Sequence, residues 1–127
     1  MVKVDTITIS GRTIPLAFDV AALLEVEEKH GSMDGLMDAI KAEEHAAAKR
    51  VELVMLLAER GEKHAPTGTP VTREWLQDYA SPHDLGVLLA AAIKNASRNL
   101  SGEKSPGKDK PIDVTLQEIE SKNAPGG

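Results

Sequence analysis

The stretch that decides the fold covers residues 2–18 and reads VKVDTITISGRTIPLAF. Alternation in its first half places Ile7 and Ile9 on one face and hydroxyl side chains on the other, which is typical of a half-buried strand. Gly11 can adopt a positive φ in a tight turn, and Pro15 restricts the second strand to an edge or a strand end. The pattern therefore predicts a strand over 2–10, a turn at Gly11-Arg12 and a second strand over 13–18.

Helical periodicity follows the hairpin almost without interruption. Asp19, Ser32, Thr72 and Ser81 are suitable N-caps, and Gly31 is a suitable helix stop. The predicted helices cover residues 19–30, 32–40, 43–62, 72–80 and 82–98, and the stretch 61–70 is predicted as a loop. We therefore expect a mainly α fold, in which a small N-terminal β-hairpin precedes a bundle of about five helices.

The apolar positions of these helices define the expected core. The stretch 51–58 is apolar nearly all round, so its helix should be central and buried on several sides. In the first helix, the predicted inner face carries Val20, Leu23, Leu24 and Glu27. The ten residues expected to build the core are Leu23, Leu24, Leu36, Ile40, Val54, Leu57, Leu85, Leu88, Leu89 and Ile93.

Composition separates a folded domain over 1–100 from a flexible polar tail over 101–127. The stretch 101–111 has no apolar residue to bury and several helix breakers, so we expect disorder. Ile112, Leu116 and Ile119 suffice for one face of a short partner-induced helix.

The net charge of −5 opposes binding to phosphate. The absence of cysteine and of long apolar runs favours a soluble protein of a reducing cytoplasm.

Several residue sets resemble catalytic or metal sites without meeting their requirements. Glu27 and His30 have the Glu-x-x-His spacing of di-iron proteins, but no second such step accompanies them. His45, His64 and His83 lie in different elements. The run 81–84 has the composition of a Ser/His/Asp set, but neighbours at a helix start cannot form a proton relay. We expect no enzyme activity, no catalytic, metal or cofactor-binding residues and no cofactor; the residues that bind a partner stay unknown.

Two helices joined by a short turn, over 72–80 and 82–98, could form a helix-turn-helix. Its second helix begins with His83 and Asp84, whereas Lys94 and Arg98 come late. A DNA-reading helix needs basic or amide side chains near its start. Packing of a plain helical hairpin is the favoured interpretation, and a DNA-binding regulator stays an alternative.

Residues 4–100 resemble the tail assembly chaperones of long-tailed bacteriophages and of related gene transfer agents. The resemblance runs through the strand, turn, strand and capped helix, and the matching residues are Gly11, Leu16, Phe18, Leu24-Glu25 and Gly31. It implies a cytoplasmic protein of the host bacterium that binds the tape measure protein and assists assembly of the tail tube protein. It implies no nucleic-acid or membrane partner, and the chain could associate with copies of itself. A longer form made by ribosomal frameshifting is also common in that family.

A small structural head-tail component of a phage is the other alternative function. It differs from a chaperone because it would stay in the finished virion, whereas a chaperone should leave.

We predict that deletion of residues 101–127 leaves the melting temperature almost unchanged. The segment holds five acidic and four basic residues, so it is nearly neutral, and its apolar surface is too small to offset ordering. Thermal unfolding followed by circular dichroism, on the full chain and on the truncated chain, measures the difference. A drop of several degrees would show that the segment packs on the domain.

Overall fold

A computed structural model of the chain describes residues 1–42 and 46–102. Within these ranges the protein is mainly helical and begins with a two-stranded antiparallel hairpin, as the sequence predicts. The five helices of the described part follow the hairpin along the chain. The elements are β1 (Asp5–Ile9), β2 (Arg12–Leu16), α1 (Val20–His30), α2 (Met33–Lys41), α3 (Ala46–His64), α4 (Arg73–Tyr79) and α5 (Pro82–Ser101).

The hairpin turn consists of Ser10 and Gly11, one residue earlier than predicted. Ile9 pairs with Arg12, and both turn residues have positive φ values, 51° and 75°. A two-residue turn of this kind matches the right-handed twist of the flanking strands. The predicted faces are confirmed, since Ile9 is buried and Ile7 packs against the core while the threonines of β1 are exposed.

The end of β2 lies directly against α3 at Gly61. A Cβ atom at Gly61 would lie 2.1 Å from the carbonyl oxygen of Pro15. One turn earlier in α3, the carbonyl of Leu57 accepts a hydrogen bond of 3.1 Å from the backbone N–H of Ala17. The predicted helix end at Glu62 is therefore two residues early, and the predicted loop over 61–70 is wrong at its start: α3 continues to His64, and Gly61 allows close packing.

Within the described ranges, side chains cap four of the five helices at the predicted residues. Asp19 accepts from the N–H of Ala22 at 2.9 Å, and the hydroxyls of Ser32, Thr72 and Ser81 each accept from the N–H three residues on at 3.0 Å. Asp84 accepts in return from the N–H of Ser81 at 3.0 Å, which completes a capping box. The Ser81–Asp84 run is thus a helix start. The predicted start of α3 at residues 43–45 lies outside the described residues.

One aliphatic core joins the hairpin and the helices. Of the predicted members, Leu36, Ile40, Val54, Leu57 and Leu88 are buried. Another four pack against the core while partly exposed, namely Leu23, Leu85, Leu89 and Ile93. The central position of α3 is confirmed, because it contributes five buried apolar side chains beyond its first residue: Leu53, Val54, Leu56, Leu57 and Ala58.

The predicted inner face of α1 is wrong except at Leu23, which packs against the core. Leu24 is 61% exposed and Val20 is 69% exposed, whereas Ala22 and Val26 are buried. The buried face begins at Asp19, which is also buried because its carboxylate bonds to α3. The buried face of α1 is therefore rotated about the helix axis, by about 100°, from the face that the apolar residues alone predict.

Asn95 of α5 is fully buried and ties together segments far apart in sequence. Its Oδ1 accepts from the backbone N–H of Phe18 at 2.7 Å. Its Nδ2 donates to the carbonyl of Lys3 at 2.9 Å and to the Asp5 carboxylate at 2.8 Å. The side chain is therefore well satisfied, as a buried amide must be. The sequence periodicity predicted the apolar face of α5, which lies next to Asn95, but it did not predict the role of Asn95.

The chain divides into two compact units, Met1–Ala96 and Ser97–Gly127. Of the second unit, the structure describes the end of α5 and Gly102. The predicted disorder and the predicted partner-induced helix fall on residues that, from 103 onward, lie outside the described ranges. The division of the chain at residue 100 stays a prediction.

We predict that Gly61→Ala lowers the free energy of unfolding by about 1–3 kcal/mol or more, because the new methyl group meets immovable backbone atoms of β2. Gly86→Ala is the matched control, since Gly86 also lies in a helix but nothing stands within 4 Å of its Cβ position. The control should gain about 0.5–1 kcal/mol from helix propensity. Urea unfolding measures both variants, and equal gains in both would contradict the close contact at Gly61.

Candidate functional site

The residues that resemble catalytic or metal sets in the sequence serve structural roles or lie apart. Glu27 is exposed on α1, whereas His30 points inward, with its Nε2 atom 3.5 Å from the Glu52 carboxylate. His83 is exposed at the start of α5, and His45 lies outside the described residues. In the part of the chain that the structure describes, no three His, Cys, Asp or Glu side chains lie close enough together to hold a metal ion.

A charged cluster links α1 to α3 around Glu52. Its carboxylate lies 3.8 Å from the Lys29 ammonium and 3.7 Å from that of Lys49, besides its contact with His30. Lys29 also pairs with Glu25 at 3.1 Å, and this hydrogen bond and charge raise the pKa of Lys29. The cluster borders a cleft whose empty volume, open solvent included, is about 210 Å³. Small-molecule sites usually measure about 300–1,000 Å³, so the cleft is small for a ligand site.

Asp19 joins the start of α1 to the last turns of α3. One carboxylate oxygen caps α1, and the other accepts from Arg60 Nε and contacts His64 Nε2, both at 2.9 Å. Burial acts to raise the pKa of Asp19, but the bonds from His64, from the Ala22 N–H and from Arg60 outweigh it, so the net pKa is lowered. The arrangement stabilises the ionised carboxylate. His64, which the sequence placed in a loop, is thereby a structural partner.

A second polar cluster holds the hairpin turn against the segment between α3 and α4. The Arg12 guanidinium lies 5.1 Å from the centre of the Trp75 ring and donates to the carbonyls of Thr69 and Pro70. Trp75 in turn lies 5.8 Å from the Tyr79 ring. Arg12 is engaged within the molecule, so this cluster stabilises the fold rather than offering a free cation to a ligand.

Glu62 organises the turn that follows α3. Its carboxylate accepts from the N–H and the hydroxyl of Thr67, at 2.7 and 2.8 Å, and from the N–H of Gly68 at 2.9 Å. Partial burial acts to raise the pKa of Glu62, whereas these hydrogen bonds and the nearby Arg12 charge lower it, and the lowering prevails. Glu62 is thus a loop-closing residue.

The outward side of α1 is a surface that packing among the described residues does not explain. We call it the α1 outer face and define it by five exposed residues: Val20, Ala21, Leu24, Glu27 and Glu28. Val20 and Leu24 lie one helical turn apart, and the two carboxylates follow one turn after Leu24. The sequence assigned Val20, Leu24 and Glu27 to the core face, so this surface was missed; the burial of Asp19 depends on its bonds to α3, which the pattern within α1 does not show.

No helix in the described ranges combines the length and apolarity needed to span a membrane. Comparison with known proteins finds no matching family model, no matching curated protein and no matching solved structure.

We predict that Asp19→Asn lowers the free energy of unfolding at pH 7 by about 1 kcal/mol, a value reduced because Arg60 and His64 are partly exposed to water. The folded state lowers the pKa of Asp19, so its contribution is present above the unfolded-state pKa and is lost as the pH falls through the folded-state pKa. The gap between wild type and variant should therefore close in strong acid.

Urea unfolding between pH 7 and pH 2 tests this expectation. Asp78→Asn is the control, because Asp78 is exposed on α4 and should matter less at pH 7. A constant gap between wild type and Asp19→Asn across the acid range would contradict the role of the ionised carboxylate.

Proposed function

We propose that this protein is a tail assembly chaperone of a long-tailed bacteriophage or a gene transfer agent. In this role it binds the tape measure protein and assists assembly of tail tube subunits around it. It would act in the cytoplasm of the host bacterium, without a nucleic-acid or membrane partner, and it could associate with copies of itself.

The first support is the layout through which the resemblance runs. Gly11 lies in the hairpin turn with a positive φ, Leu16 and Phe18 are buried at the end of the hairpin, and Gly31 closes α1 with a φ of 82°. Four of the positions that match the family pattern thus have an evident structural reason. They fit the proposed family but do not describe a binding surface.

Leu24 is the observation that carries the proposal. It also matches the family pattern, yet it is 61% exposed and lies one turn from Val20, which is 69% exposed. Folded domains bury most residues of this type, and adjacent exposed ones mark an interaction surface more often than an isolated one does. Leu24 thus matches the family pattern although its side chain is not buried in the core, so it is well placed to contact a client.

The charges of the domain agree with a binding role. The two carboxylates that line the cleft, Glu25 and Glu52, each pair with neighbouring bases, which fits a structural role better than general acid–base chemistry. The net charge of −5 would also keep many copies soluble while they cover one long client.

We predict that co-expression with the tape measure protein of the same genome raises the soluble fraction of that client and yields a complex. The client is expected as a very long helical protein encoded immediately downstream. A Val20→Ser, Leu24→Ser double variant should lose most of the complex, because it removes the exposed apolar pair. Val87→Ser on α5, where the side chain is 38% exposed, is the matched control.

Three outcomes would contradict the proposal. The client could stay insoluble and fail to co-purify with the wild-type chain. The protein could be present in purified mature virions, which would favour a structural head-tail component. It could also bind DNA in a salt-sensitive manner, which would favour the DNA-binding regulator.

A further inference from the structure

We infer that the α1 outer face binds an amphipathic helix that carries lysine or arginine side chains one turn beyond its apolar contacts. This inference names the client class of the proposed chaperone and in that respect rests on the proposed function. The argument rests on the order of apolar and acidic side chains along α1.

The carboxylates of the α1 outer face differ from their neighbours in forming no ion pair within 4 Å among the described residues. Glu25 and Glu52, on the inner flank, pair with Lys29 and with other bases. Among residues 1–42 and 46–102, neither Glu27 nor Glu28 forms a side-chain ion pair. The charge of Glu28 helps to raise the pKa of Lys29, but Lys29 forms its close pair with Glu25, so neither outer carboxylate holds a paired base within the described part of the molecule.

The position of these carboxylates in the helix adds to their need for a cation. Glu27 and Glu28 lie in the last turns of α1, where the helix dipole places partial negative charge. Carboxylates there are disfavoured, and the bases of the last turn, Lys29 and His30, face Glu52 instead of the outer surface. A bound cation would remove this local repulsion.

The spacing of the face matches a helical partner. Val20 and Leu24 stand one turn apart, and Glu27 and Glu28 stand one turn further on, so all four repeat at helical spacing. An amphipathic helix laid along α1 would present its own anchors at the same spacing, as in known helix-in-groove recognition. The basic residues of that helix would then meet Glu27 and Glu28 while its apolar residues cover Leu24.

A second copy of this chain does not meet the same requirement. The α1 outer face of another copy offers apolar and acidic side chains but no base, so both pairs of carboxylates would stay unpaired. Charge complementarity therefore favours a different, basic partner.

Designed helical peptides test the inference on the full chain. Two fluorescent peptides of about 20 residues, long enough to form helix on binding, share one apolar stripe and carry either lysine or glutamate beside it. Fluorescence anisotropy should show the lysine peptide binding about threefold to tenfold more tightly than the glutamate peptide. The Val20→Ser, Leu24→Ser variant should weaken the binding of both peptides.

Charge reversal provides the decisive comparison. Glu27→Lys together with Glu28→Lys should reverse the preference, so that the glutamate peptide binds more tightly. Glu74→Lys together with Asp78→Lys makes the same net charge change on two exposed residues of α4, and it should keep the preference for lysine. Circular dichroism of each variant confirms that the fold is intact.

Equal binding of both peptides, no binding of either, or the same effect from both charge reversals would overturn the inference. The first two outcomes would show that the face does not select a basic helix, and the third that net charge alone decides. These results are separable from the proposed function, since a complex with the tape measure protein could still form through another surface. Conversely, a basic helix could bind here although the tape measure protein does not.

Discussion

The arrangement of the domain depends on one contact, at which the backbone of β2 lies against α3 with no side chain between them. Gly61 leaves the space that the carbonyl of Pro15 occupies, and the N–H of Ala17 bonds to the carbonyl of Leu57 one turn away. Because the hairpin meets α3 through backbone atoms, their separation is set by van der Waals contact. The start of α1, only a few residues beyond Ala17, is thereby also held close to α3.

Two buried polar residues, Asp19 and Asn95, add directional hydrogen bonds to a core that is mainly aliphatic. Apolar contacts are non-directional, and with aromatic residues at 2% of the chain few side chains fix a unique packing by shape. Asn95 holds the backbone of Phe18 from α5, and Arg60 holds the carboxylate of Asp19 from α3. The junction of β2 and α1 is thus fixed on both sides by hydrogen bonds that permit one orientation.

Local features of the fold could be predicted from sequence because their causes are local. A hydroxyl at Ser81 and a carboxylate at Asp84 cap a helix whatever surrounds them, and Gly11 suits a two-residue turn. The close packing of Gly61 against β2 could not be predicted, since the strand that it meets lies more than 40 residues away in the chain. The outward side of α1 was missed for a related reason: Asp19 is buried through its bonds to α3, which no pattern within α1 contains.

The exposure of Leu24 therefore follows from the anchors of α1 and does not indicate a loosely packed helix. Rotating α1 to bury Leu24 would remove Asp19 from Arg60 and His30 from Glu52, and would leave the Asp19 carboxylate without its partners. The α1 outer face is thus present in the folded domain without any rearrangement. A surface already in its final geometry binds without the entropy cost of ordering it, which supports the proposed binding role of this face.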